Sequence, residues 1–136
     1  MKRILAFCAL GLVAGCADQA TPELSESDEA RISSALANYE QAGRSVDCVN
    51  SRDLRGNRSA GEGAIIFDGI GRRVWVNRPP AGCPSLDHGR ALRTSTPSTR
   101  LCRGDIATVF DPVSGIDYGS CSLGEFTPYD RRPSAG

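Results

Sequence analysis

The chain is short of the residues that most chemistry needs. It has one histidine, one tryptophan and one methionine in 136 residues, and aromatic residues make up 6% of it. Its only lysine is Lys2. There is no C-x-x-C pair, no G-x-S-x-G elbow and no G-K-[ST] after a glycine-rich loop, so paired zinc hooks, the common serine-hydrolase frame and a phosphate loop are all missing. Net charge is absent too: 16 basic residues balance 16 acidic ones. A balanced chain with 40% apolar residues is neither a basic nucleic-acid tail nor a disordered acidic one. It also lacks the roughly 20 consecutive apolar residues that a spanning helix requires. The length fits one ordinary domain.

What is present begins at the first residue. Met1, Lys2 and Arg3 make a short positive start, and Ile4 to Val13 is an apolar run broken only by Gly11. This is the pattern of a signal peptide. The run closes on Val13, Ala14, Gly15 and Cys16, which resembles the bacterial lipobox, in which small residues precede a cysteine whose sulfur takes a diacylglyceryl group. That resemblance implies lipidation at Cys16 and a membrane partner held through acyl chains, because two or three chains together anchor stably. Ala17 after the cysteine, by analogy with lipoprotein sorting, points to the outer membrane, with the body facing the periplasm. Cys8 lies inside the apolar run and leaves with the signal. The expected organisation is a signal peptide at 1–15, a lipidated cysteine with an acidic tether at 16–27, one domain at 28–130 and a disordered tail at 131–136.

Beyond the signal, every basic residue is an arginine, 14 in all against 16 acids. Residues 17–30 carry Asp18, Glu23, Glu26, Asp28 and Glu29 with no base, so the body is mildly basic behind an acidic tether. The groups Arg52, Arg55, Arg58 and Arg72, Arg73, Arg78 read as a solvated surface. Four cysteines remain besides Cys16: Cys48, Cys83, Cys102 and Cys121. An even count in an exported chain reads as two disulfides, each worth about 2 to 4 kcal/mol, in any of three connectivities. No metal or other cofactor is expected.

Ser25 or Ser27 is placed to cap a helix, with Asp28 and Glu29 in its first turn. Ile32, Ala35, Leu36 and Tyr39 continue the helical spacing through Glu40, and Gly43 stops it. Short apolar runs with turn punctuation follow at Val46 to Val49, Ala64 to Phe67, Val74 to Val76, Ile106 to Phe110 and Cys121 to Phe126. Asp68 to Gly71 reads as the turn of a hairpin, Asn77 to Pro84 as a departure from the sheet, and Pro112 to Gly119 as a second hairpin loop. The expected fold is mainly β (α+β): one N-terminal helix, then a small antiparallel sheet or barrel of about six strands. Trp75 and Phe67 are core or edge aromatics.

At YEQAGRSVDCV, IIFDG, VWVNRPPAGCPSL, LCRGD and CSLGEF the chain resembles a family of small proteobacterial envelope proteins classed as a domain of unknown function. The resemblance runs from about Tyr39 to Tyr129. It implies pairing of Cys83 with Cys121, which leaves Cys48 for Cys102, and no activity comes with it. The stretch from Arg55 to Gly63 is longer and richer in glycine than the pattern.

Several motifs invite a function. Arg103, Gly104 and Asp105 spell RGD, but follow a cysteine and run into ATVF, so a turn with Asp105 accepting from backbone amides is expected. His88 beside Asp87 is half of an acid/base pair, and Ser85 or Ser120 would be its nucleophile, although no elbow frames either serine. The reading that results is a non-catalytic envelope lipoprotein that binds an unidentified envelope protein or glycan, or has a structural role. The alternatives are an inhibitor of a wall-degrading enzyme such as lysozyme, and a small hydrolase using Asp87 and His88. Nucleic acid is not an expected partner.

Overall fold

The computed structural model of the chain describes residues 25–87 and 89–135. Among these residues the protein is mainly β, with one helix, α1 (Glu26–Ala35), and ten strands: β1 (Tyr39–Gln41), β2 (Cys48–Asn50), β3 (Gly56–Ser59), β4 (Ile65–Asp68), β5 (Arg73–Asn77), β6 (Ala91–Thr94), β7 (Arg100–Cys102), β8 (Ile106–Phe110), β9 (Asp117–Ser122) and β10 (Phe126–Arg131). They form a five-stranded sheet ordered β1-β10-β5-β4-β3, a three-stranded sheet ordered β6-β8-β9 and a ribbon of β2 with β7. All pairings are antiparallel. No helix among the described residues is long and apolar enough to cross a membrane.

Strand side chains alternate between faces, and here the alternation serves two cores. From the central strands β4 and β5, Ile65 and Phe67 join Val49, Leu92, Leu101, Val109, Leu123 and Phe126 between the sheets. Ile66, Val74 and Val76 face the other way and pack with Ile32 of α1, with Tyr39 and Tyr129 alongside. Covered on both faces, the middle of the large sheet reads as unbroken apolar runs. The three-stranded sheet is covered on one face only, so Leu92, Ala107, Val109 and Cys121 are buried while Arg93, Ser120 and Ser122 are exposed.

Disulfides join Cys48 to Cys102 and Cys83 to Cys121. The first crosses the β2–β7 ribbon between directly opposed residues. The second ties the loop after β5 to β9 with both cysteines buried.

The helix departs from the sequence pattern at its end. Ser25 Oγ accepts from the Asp28 amide at 3.3 Å, as an N-cap does, but α1 stops at Ala35 and Leu36 caps it. Tyr39 and Glu40, read as the end of the helix, instead belong to β1, which pairs with Arg131 to Tyr129; a sheet edge overrides helical spacing where it offers a ladder of backbone bonds. Cys121 to Phe126 is not one strand. Leu123 to Glu125 separates β9 from β10, because Asn77 grips Gly124 there: Asn77 Nδ2 donates to the Gly124 carbonyl at 2.7 Å and the Gly124 amide donates to Asn77 Oδ1 at 2.8 Å. A Cβ at Gly124 would lie 2.3 Å from the Arg78 carbonyl oxygen, so only glycine fits.

β10 then continues through Thr127 and Pro128 in the interior of the sheet. The Pro128 carbonyl accepts from the Ala42 amide. Its missing N–H lies on that same edge, beyond the end of β1, so β5 loses no bond. β3, β6 and β7 were not expected; β3 arises within the glycine-rich stretch and pairs with β4 from Gly56↔Asp68 to Ser59↔Ile65.

Candidate binding cleft

The five-stranded sheet ends in β3 and the three-stranded sheet ends in β6. The two edges lie in contact, and Asn57 Nδ2 donates across them to the Leu92 carbonyl at 3.3 Å. Beside that contact opens a cleft of about 530 Å³, within the roughly 300 to 1,000 Å³ typical of ligand sites. One wall is the segment from Ser51 to Asn57, the other runs from Thr94 to Ser98, and Phe67, Leu54 and Leu101 form the floor.

Each wall is held by local polar bonds. Ser51 to Asp53 form a 3-10 turn started by Asn50, whose Oδ1 accepts from the Arg52 amide at 3.1 Å. The Ser51 amide donates to the Thr99 carbonyl, which fixes this wall against the other, and the Arg55 amide donates to the Asp68 carbonyl. In the opposite wall Thr96 Oγ1 and Ser98 Oγ both donate to the Arg100 carbonyl at 2.9 Å, and Ser98 Oγ accepts from the Arg100 amide at 3.1 Å. The hydroxyls of Thr96 and Ser98 therefore shape the loop and keep acceptor capacity. Ser51 Oγ is different: it is buried and has no hydrogen-bond partner among the described residues. Covered by protein, that oxygen does not face the cleft.

The charges divide in the same way. Six guanidinium groups pair with carboxylates: Arg31 with Asp87, Arg58 with Asp68, Arg73 with Asp130, Arg78 with Glu29, Arg93 with Asp117 and Arg103 with Glu125. Arg55, which lines the cleft, has no side-chain partner among the described residues, and neither have Arg52 and Arg100 close by in sequence and strand pairing. Asp53 is the carboxylate of the same wall. A second depression, of about 680 Å³ between the Ile70–Arg73 turn and Asp130–Pro133, differs in this respect. Arg73 donates to Asp130, whose carboxyl is held below the usual carboxylate range first by that bond, while Arg131 donates to Tyr39 Oη at 3.1 Å. Its principal charges are already used within the fold.

The residues singled out in the sequence are scattered. Cys16 and His88 lie outside the described residues. The Asp87 carboxylate takes the guanidinium of Arg31. Ser85, at a positive φ of 69°, has its amide on Glu62 Oε1, and Ser120 sits on the exposed face of β9. Asp105 Oδ2 accepts from the Cys102 amide at 2.8 Å, so RGD is a turn. The cleft residues Ser51, Thr94, Thr96 and Ser98 carry no motif in the sequence, and Arg55 reads there as solvated surface. The available signal was the hydroxyl-rich run from Thr94 to Thr99 around Pro97, too polar for a strand and too ordered in composition for a simple turn.

The fold and cleft together define a class: a small antiparallel β domain, stapled by two disulfides, with a polar cleft at a junction of sheet edges. No family model, curated protein or solved structure matches the chain.

Proposed function

We propose that the chain is an envelope lipoprotein, anchored through Cys16 and facing the periplasm, whose β body binds a partner and performs no catalysis. The supporting observation is the cleft between β3 and β6, where Arg55 and the hydroxyl-bearing Thr94 and Ser95 line a space floored by Leu54, Phe67 and Leu101. Binding sites combine such a floor with a few polar groups that fix orientation. Two disulfides suit an oxidising compartment. The test is site-specific photo-crosslinking in intact envelopes, with the photoreactive side chain at Thr96 in the cleft or at Ser122 on the open face of β9. Adducts at Thr96 and none at Ser122 are expected; equal labelling, or labelling at Ser122 alone, contradicts the reading. His88→Ala leaves the crosslinking unchanged, whereas the hydrolase alternative requires a loss of function.

A second reading, inhibition of a wall-degrading enzyme such as lysozyme, draws on the turn between β8 and β9. Val113 there is 95% exposed and Ile116 is 55% exposed. The tip is stiff, because Asp111 Oδ1 accepts from the amides of Val113 at 2.7 Å and Ser114 at 3.2 Å, and the Asp111 amide donates to the Ile116 carbonyl. These backbone bonds also hold the Asp111 carboxyl below its ordinary range. A rigid apolar tip can enter an enzyme's substrate groove with little loss of entropy. Co-purification with lysozyme that is lost on Val113→Asp supports this reading, and the absence of any complex removes it.

A further inference from the structure

Resting on the binding reading, the chemistry of the cleft narrows its occupant. The walls offer the hydroxyls of Thr94 and Ser95 and the side-chain carbonyl of Asn57 over a floor of apolar side chains. A pyranose ring is built the same way, with C–H faces and a hydroxyl rim. An extended peptide adding to the β3 edge fits less well, since the Asn57 bond to the Leu92 carbonyl already closes the seam along which a strand would enter. Charge supplies the remaining condition. Arg55 lines the cleft and its side chain has no partner among the described residues, whereas the neighbouring Arg52 and Asp53 do not line it. A guanidinium presents a planar fork of donors suited to a carboxylate or phosphate. We infer that the cleft between β3 and β6 binds an acidic saccharide, its anionic group on Arg55 and its ring hydroxyls on the row formed by Thr94 and Ser95.

The experiment is isothermal titration of the full chain in neutral detergent micelles with three probes: a hyaluronan tetrasaccharide, which alternates glucuronate with N-acetylglucosamine; chitotetraose, its neutral counterpart; and inorganic phosphate. The acidic tetrasaccharide is expected to bind at least about tenfold more tightly than either of the others, as one charge-assisted fork added to a sugar contact allows. Its affinity should fall severalfold between about 50 and about 200 mM salt, the range over which screening of exposed charges sharpens. Arg55→Gln should bring the acidic and neutral probes to similar affinity, Arg55→Lys should keep part of the difference, and Thr94→Val should weaken both sugars. Unchanged thermal unfolding of Arg55→Gln confirms an intact fold. Equal affinity for the acidic and neutral sugars overturns the inference, as does phosphate binding as tightly as the tetrasaccharide or an unaffected Arg55→Gln variant. If no sugar binds while crosslinks at Thr96 still form in envelopes, the saccharide inference fails and the binding reading stands; if both are absent, both fail.

Discussion

The two larger sheets are made from similar short strands but are held in different ways. In the five-stranded sheet, Ile65 and Phe67 face one core and Ile66, Val74 and Val76 face another, so burial secures both sides. In the three-stranded sheet only Leu92, Ala107, Val109 and Cys121 are buried; its other face is held by pairs such as Arg93 with Asp117 and Arg93 over the Phe110 ring at 4.9 Å. Exposed pairs of this kind contribute little. The smaller sheet therefore depends on its inner face and on the Cys83–Cys121 bond. The cleft lies where the secure sheet meets the less secure one.

That comparison can be broken most forcefully at Phe67, which is 2% exposed, packs on Phe126 with ring centroids 5.6 Å apart and also floors the cleft. Phe67→Ala is expected to cost about 3 to 5 kcal/mol in chemical denaturation. Replacing Cys83 and Cys121 together by Ala should cost about 2 to 5 kcal/mol and raise hydrogen exchange in β8 and β9 before β4 and β5. The pair Cys48 and Cys102 sharpens the point. Chain entropy alone ranks that bond slightly higher, because its sequence separation is 54 against 38. Burial of both Cys83 and Cys121 predicts the opposite order.

Asn77, wholly buried and bonded to both backbone groups of Gly124, links β5 to the start of β10. Asn77→Ala strands a donor and an acceptor and should lower stability by about 2 to 3 kcal/mol.

The smallest effect is in acid. Asp130 is held low first by its bond from Arg73, and Asp111 by backbone amides. A depressed folded-state pKa stabilises fully above the unfolded value near about pH 4 and is lost as pH falls through the folded value. Thermal unfolding followed from pH 5 downward should show this loss, with Asp130→Asn flattening the part that belongs to the large sheet. Added salt should weaken the Asp130 part more than the Asp111 part, since an exposed ion pair is screened and short backbone bonds are less so.

The sequence was most legible where burial is complete. IIF and VWV declared themselves as paired strands because both faces of β4 and β5 are covered, and Asp68 to Gly71 contained the turn because glycines permit it. β6 and β7 were illegible because half of each faces water and the segment between them is hydroxyl-rich. The end of α1 was misread since Leu36 and Tyr39 keep helical spacing while serving a sheet-side cluster, and the division at Leu123 to Glu125 was hidden because its cause, Asn77, lies 47 residues away. For the cleft, the arginines could be seen in sequence, but not which of them would find carboxylates. That distinction exists only after folding.

The proposal of an exported, anchored domain with two disulfides can be checked by intact mass of the membrane-extracted protein before and after reduction and alkylation, with mapping of linked peptides. Acyl chains on Cys16 are expected, with linked peptides joining Cys48 with Cys102 and Cys83 with Cys121. An unacylated chain with four free thiols would contradict it.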